Sequence, residues 1–209
     1  MANIYNRFLW YYKKHGLQRL VTLGVSKLLR KINNKEVMFV FDLDSMQLKN
    51  RLENLPDIYV KMHQSLESIP KEDRNQLIRL KSEEILASHL HHFFKKGATL
   101  WIAKLDQKIV GICWTLIGGF NGFYSMPMTS RDAIYLSVEV FPEFRGQAIA
   151  SAMRLLVYSQ LRQCGVSRVY AKVHSKDTSS LKSIAKTGNQ QIGSVRTFTI
   201  FNRYVTIWG

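Results

Sequence analysis

Apolar and polar positions alternate along this chain in two rhythms, and the switches between them lay out its elements. From Leu17 the apolar set Leu17, Leu20, Val21, Val25, Leu28, Leu29 and Ile32 recurs at helical spacing, with Arg19, Lys27, Arg30 and Lys31 mostly off that face. That is a basic amphipathic helix within residues 1–35. Val37 to Leu43, VMFVFDL, reads as a strand. Pro56 and Asp57 open a helical stretch, and a second helix runs from Lys71 to Lys95, ending at Gly97. Thr99 to Ile117 holds two apolar runs around LDQK, the pattern of a β-hairpin. A loop rich in glycine and aromatics follows, from Gly118 to Ser130. Ala133 to Phe141, AIYLSVEVF, is β-branched and aromatic, and Pro142 stops it as a strand.

From Gln147 the chain is helical again, with Ile149, Met153, Leu156, Val157 and Leu161 apolar and Gly165 at its end. Ser167 to Val173 is a strand. Ser179 to Lys186 is a short helix capped by Asp177 or Thr178. Gln190 to Ile200 and Arg203 to Trp208 make a final hairpin around Phe201 and Asn202. The order is that of an α/β (α+β) domain with a mixed sheet. The domain expected is 36–209, preceded by the helical extension 1–35.

Composition narrows the class. At 209 residues and 46% hydrophobic, the chain can bury a real core. Its two cysteines, Cys113 and Cys164, stand far apart, which suggests a reducing compartment and no disulfide framework. The charged and aromatic start lacks an apolar run and a cleavage site, so no leader is expected, and no stretch approaches a membrane span. These features point to the cytoplasm. His89 and His92 share a helix face, but no carboxylate or cysteine stands at matching spacing, so no metal is expected.

The net charge of +15 fits an anionic partner, and the first 35 residues carry eight basic side chains and no acid. With Phe8, Trp10, Tyr11 and Tyr12 nearby, this segment suits a peripheral contact at the inner face of a membrane. The alternatives are packing on its own domain or on a second subunit, giving a homodimer. No aromatic-basic motif of a nucleic-acid reader appears.

Candidate chemistry sits between the Ala133–Phe141 strand and the next helix, in VEVFPEFRGQAIA. A strand, a turn with glycine and a helix N-terminus make an anion site, because the first N–H groups of a helix lack internal partners. This stretch resembles the acyl-CoA signature of the GNAT N-acetyltransferase superfamily, R/Q-x-x-G-x-G/A after a strand ending V-x-P. The match runs through Val140, Pro142, Arg145, Gly146, Gln147, Ala148, Ile149 and Ala150, with Ala148 in place of the first glycine. The later helix resembles the family's N-x-x-S…K-x-G-F pattern: Asp177 stands at the asparagine, Ser180 at the serine, Lys186 and Gly188 match, and Asn189 replaces the phenylalanine. The resemblance covers Thr99 to Trp208 well and the N-terminal third poorly.

The resemblance implies a mostly antiparallel sheet flanked by helices and transfer of an acetyl group from acetyl-CoA to a small primary amine, by direct attack and without a metal. The signature strand and the strand after it would splay apart. The pantetheine amides would pair with Val138 and Val140. The N–H groups of Gly146, Ala148 and Ala150 would hold the pyrophosphate, with Arg145 adding charge, and an N–H near Leu136 would stabilise the oxyanion. The helices before the hairpin would form the acceptor site, an amino sugar being one acceptor that fits a membrane surface. Glu139, His174 and Asp132 are three candidates for the base. The tyrosine that commonly protonates the thiolate is replaced by Ile184, which leaves Ser180 or water for that step. It also leaves a second reading, a GNAT-fold binding or scaffold protein without turnover.

Overall fold

The structure is a computed structural model that describes residues 34–45, 52, 55–81, 83–118, 128–200 and 203–209. The expected N-terminal helix and most of the Gly118–Ser130 loop lie outside the described residues. Two compact units emerge: a larger one, Val37–Gly193, and a smaller one whose described part is 34–36, 194–200 and 203–209.

The strands of the larger unit stand in the order β2-β3-β4-β5-β6-β1. These are β1 (Asn34–Asp42), β2 (Tyr59–His63), β3 (Thr99–Leu105), β4 (Lys108–Ile117), β5 (Asp132–Val140) and β6 (Arg168–His174). Helices α1 (Lys71–Lys81) and α2 (Glu83–Lys95) precede the β3–β4 hairpin, α3 (Ile149–Gln163) joins β5 to β6, and α4 (Thr178–Lys186) follows β6. The pairs β2/β3, β3/β4 and β4/β5 are antiparallel and β5/β6 is parallel. This is the mixed, mostly antiparallel sheet expected. Strand β7 (Gln190–Ile200) starts in the larger unit, and its part from Val195 on pairs antiparallel with β8 (Arg203–Trp208) within the smaller one, from Val195↔Trp208 to Ile200↔Arg203.

Strand alternation divides the core into two layers. Trp101, Ala103 and Cys113 pack with Met153, Val157 and Leu161 of α3 and Ile184 of α4. Their neighbours Leu100, Ile102, Ile112 and Trp114 pack with Leu77 of α1 and with Leu86 and Leu90 of α2. Successive strand residues point to opposite faces, so α3 and α4 cover one face of the sheet and α1 and α2 the other.

The hairpin turn is Asp106-Gln107, both at positive φ (46° and 64°), a pair of left-handed residues that matches the twist of the flanking strands. One expectation fails: the segment after Pro56 is not helical. Tyr59–His63 forms the edge strand β2, with Val60 opposite Ala103 and Met62 opposite Trp101. The β-branched and aromatic run Ile58-Tyr59-Val60 finds a ladder on β3, and that pairing overrides the helix-start signal of Pro-Asp.

Candidate active site

The site begins with a fault in the ladder. Trp114 lies opposite Ser137 and Thr115 opposite Tyr135, so Leu136 is an extra residue, a β-bulge in β5. On the other side, β5 and β6 pair only from Asp132↔Arg168 to Tyr135↔Ala171. Beyond that pair β5 runs on to Val140 and β6 to His174 without pairing to each other. The two strands therefore part, as the acyl-CoA reading requires.

The open edge of β5 carries the right groups. Phe141 N–H donates to Val110 O (3.0 Å), a bond toward β4. Antiparallel alternation then turns the backbone groups of Val140 and Val138 to the free side. The Val140 carbonyl already accepts from Arg145 Nε (3.1 Å), which ties the turn back onto the strand. Gly111 of β4, opposite Val140, tolerates no side chain: a Cβ would stand 2.7 Å from Glu139 O and 2.8 Å from Met153 Sδ. The missing side chain lets α3 lie close against this end of the sheet.

The turn gathers backbone donors. A short 3-10 turn, Pro142–Phe144, is followed by Gly146 at φ 82° and Ala148 at φ 58°. Alternating backbone handedness of this kind gathers N–H groups on one concave side. The first bonds of α3 run from the N–H groups of Ser151 and Ala152 to Ala148 O (both 3.1 Å), so the amides of Ile149 and Ala150 lie ahead of the ladder. The helix starts two residues later than expected from Gln147, because Ala148 is left-handed.

A cleft of about 500 Å³ opens here. Val138, Glu139 and Val140 line it from β5, and Arg145, Gly146, Ala148, Ile149 and Ala150 from the turn. Gln147 is exposed, outside the lining, with Nε2 donating to Glu143 O (3.5 Å). Phe144, Ser151, Arg154, Ser179, Ser180, Lys182, Ser183 and Lys186 complete the wall. Several of these the motifs did not single out, yet Ser179, Lys182, Ser183 and Lys186 recur every three or four residues. That spacing puts them on one face of α4.

The candidate bases fare differently. Glu139 lines the cleft and forms an ion pair with Lys81 at the end of α1. Val138 and Val140 pack toward α3, so Glu139 reaches across to the α1 side. Asp132 is corrected: it lies outside the cleft and is fully buried. It accepts bonds from Thr129 N (2.7 Å), Thr129 Oγ1 (2.9 Å) and both Nε and Nη2 of Arg168 (2.8 and 3.2 Å). Burial alone would raise its pKa, but Thr129 and Arg168 together outweigh burial and hold it below the usual carboxylate value. It is a structural anchor of the β5–β6 pair.

His174 also lies outside the cleft lining. Its Nδ1 accepts from Lys176 N–H (3.1 Å), which assigns the proton to Nε2, a buried atom without a partner among the described residues. In that tautomer the ring has no free lone pair for a substrate proton. Asp177 does not line the cleft but caps α4, accepting from Ser180 N (3.0 Å) and Ser180 Oγ (2.8 Å). The Ser180 hydroxyl proton is thus engaged by a carboxylate. Ile184 is wholly buried in the α3 core. Burial pushes the Cys113 thiol up to about 12, far from a nucleophile, and Cys164 closes the end of α3.

Comparison with known proteins agrees with this geometry. The family model described as the acetyltransferase (GNAT) family matches residues 60–188. No curated protein sequence matches the chain. Among solved structures, a functionally unknown conserved protein from Staphylococcus epidermidis is similar at TM-score 0.54 and 14% identity, covering 93% of this chain and 78% of that one. A tandem GNAT protein from the clavulanic acid biosynthesis pathway reaches 0.56 at 17%, covering 84% and 53%. A glucosamine N-acetyltransferase region of a fungal multi-domain beta-N-acetylglucosaminidase reaches 0.54 at 17%, covering 85% and 22%. The present chain thus spans about half of the tandem protein and a smaller share of the fungal one. At these identities the likeness speaks for the fold. The family match takes in more than half of the chain and contains the bulged strand, the parted edge and the left-handed turn, so the chain belongs to the GNAT acetyltransferase family.

Proposed function

We propose that this protein transfers an acetyl group from acetyl-CoA to the amine of a small acceptor. The observation that carries the reading is the parted edge of β5, which opens onto a helix N-terminus and a turn with two positive-φ residues. An extended pantetheine arm fits there as an added strand, its amides meeting the outward groups of Val138 and Val140. Val140 O would have to be released by Arg145 or left to it. The amides of Gly146 to Ala150 suit a pyrophosphate, and Arg145, Lys182 and Lys186 add positive charge around it.

Glu139 is the base we assign. Lys81 approaches it from the α1 side, while the α3 and α4 side holds the turn. An amine entering from the α1 side would meet the thioester at the bulge, where the backbone of Leu136 is free of its regular β4 partner. The carboxylate takes the proton as the nitrogen attacks. An amino sugar is the acceptor class we favour, a choice supported by the fungal neighbour's description and by the basic residues 1–35. The same segment motivates placement in the cytoplasm at the inner face of the membrane. Flotation with anionic vesicles, with and without residues 1–35, tests that placement, and equal recovery in the soluble fraction would remove it.

Calorimetric titration with acetyl-CoA and CoA is the direct test of the donor. Micromolar binding that disappears in the Arg145→Glu, Gly146→Asp double variant supports the acyl-CoA site. Binding without thiol release across an amine panel would favour the scaffold reading. No binding by the folded protein would sink both.

A further inference from the structure

Arg154 is an unusual residue to find inside α3. It is 3% exposed, yet among the described residues no carboxylate lies within ion-pair distance. Its Nη1 donates to Ser183 Oγ (3.2 Å), which also meets Ser151 Oγ (3.2 Å). Its Nε is buried without a partner among the described residues. Its guanidinium carbon stands 5.3 Å from the centre of the Tyr135 ring. Tyr135 is the last residue of β5 paired with β6 and the neighbour of the bulge at Leu136. Arg154 also lines the cleft. Burying a cation without a counter-charge is destabilising unless an anion visits it.

Resting on the acyl-CoA reading, we propose that Arg154 is the electrostatic partner of the thiolate that departs when the thioester is cleaved. The amine lone pair forms the new C–N bond and the C–S bond breaks with its electron pair on sulfur. The amine proton passes to Glu139 or to water. The sulfur leaves as a thiolate beside the guanidinium and takes a proton from solvent on release, since an arginine is too weak an acid to give one up. Arg145, Lys182 and Lys186 are exposed, so their charges are screened by water. Glu139 is engaged by Lys81, and the phenols of Tyr135 and Tyr158 are kept neutral by burial. Arg154 is therefore the charge in this wall best able to act on a sulfur at the bulge.

The test is the titration of the CoA thiol while bound to the protein, read by its ultraviolet thiolate absorbance against the desulfo-CoA complex. The bound thiol is expected to titrate about one to three units below its value in free CoA. Arg154→Lys should keep most of that shift. Arg154→Met should lose it and lower kcat about 10²-fold while desulfo-CoA binds as before. A thiol that titrates at or above its free value in the unaltered protein overturns the proposal, as does a shift that survives in Arg154→Met. So does an Arg154→Met variant that leaves the thiol unmoved and changes the preference between succinyl-CoA and acetyl-CoA, because the guanidinium would then read an acyl carboxylate. If Arg154→Met does not fold, the unaltered protein and Arg154→Lys decide. Absence of any CoA binding would refute the acyl-CoA reading itself, which is a different result from binding with an unshifted thiol.

Discussion

Asp132 and Glu139 sit at the two ends of one strand and lead opposite lives. The Asp132 end of β5 is paired on both sides, by β4 and by β6, and its carboxylate is wholly buried under four hydrogen bonds. The Glu139 end has lost its β6 partner, and its carboxylate is 40% exposed with one cation beside it. The same residue class on the same element becomes a structural anchor where the ladder is complete and, in our proposal, a base where it is broken. The bulge at Leu136 is the boundary between the two.

The sharpest way to break this contrast is to exchange the roles by mutation. Glu139→Gln keeps the shape and removes the proton acceptor. It should lower kcat about 10²- to 10⁴-fold with little change in melting temperature or in acetyl-CoA affinity. Steady-state kinetics beside a thermal scan reads both, and an unchanged kcat would remove Glu139 as the base. Lys81→Met should give a smaller fall in kcat, because the carboxylate then loses the cation that holds it at the cleft.

At the other end the expected effect is on stability alone. Arg168→Met leaves Asp132 buried with only the Thr129 bonds. The full penalty for breaking a buried pair is about 3–5 kcal/mol, and the half-exposed Arg168 argues for the low end or below it. Denaturant unfolding should show that loss while CoA binding stays as it was. A variant that folds as well as the parent would show that the pair contributes little to holding β5 on β6.

The same carboxylate sets a pH dependence. Its folded pKa lies below its unfolded value, so its contribution is fully present above about pH 4. It is lost as pH falls through the lower folded value, because the unfolded chain binds the proton first. Below about pH 4 the parent should lose stability more steeply than Asp132→Asn. Parallel slopes would mean that other carboxylates carry the acid transition.

Much of this is legible in the sequence. The two-period pattern announces the hairpin, β5, α3, β6 and α4, and the string from Val138 to Ala150 marks the turn that opens α3. What stayed hidden depends on partners distant in sequence. β2 is a strand only because β3 offers it a ladder. Asp132 looked catalytic because nothing in the sequence ties it to Arg168, the residue it meets across the parallel pair. No sequence pattern singles out Arg154, since the burial of its charge emerges only when α3, α4 and β5 are assembled.

Ala148 gives the smallest effect and the finest probe of the turn. Its φ of 58° and ψ of 11° place a side chain in the left-handed region, where a Cβ costs roughly 1–2 kcal/mol and glycine almost nothing. Ala148→Gly relieves that strain in the folded state but also loosens the unfolded chain, which returns part of the gain. The net expectation is a rise in stability of about 0.5–1 kcal/mol, read as a small upward shift in the unfolding midpoint. The alanine methyl is exposed beside the amides of the anion site, so its removal should also tighten CoA binding severalfold. Gain of stability without gain of affinity would mean that the pyrophosphate does not approach Ala148, and would shift the anion site toward Ile149 and Ala150 at the first turn of α3.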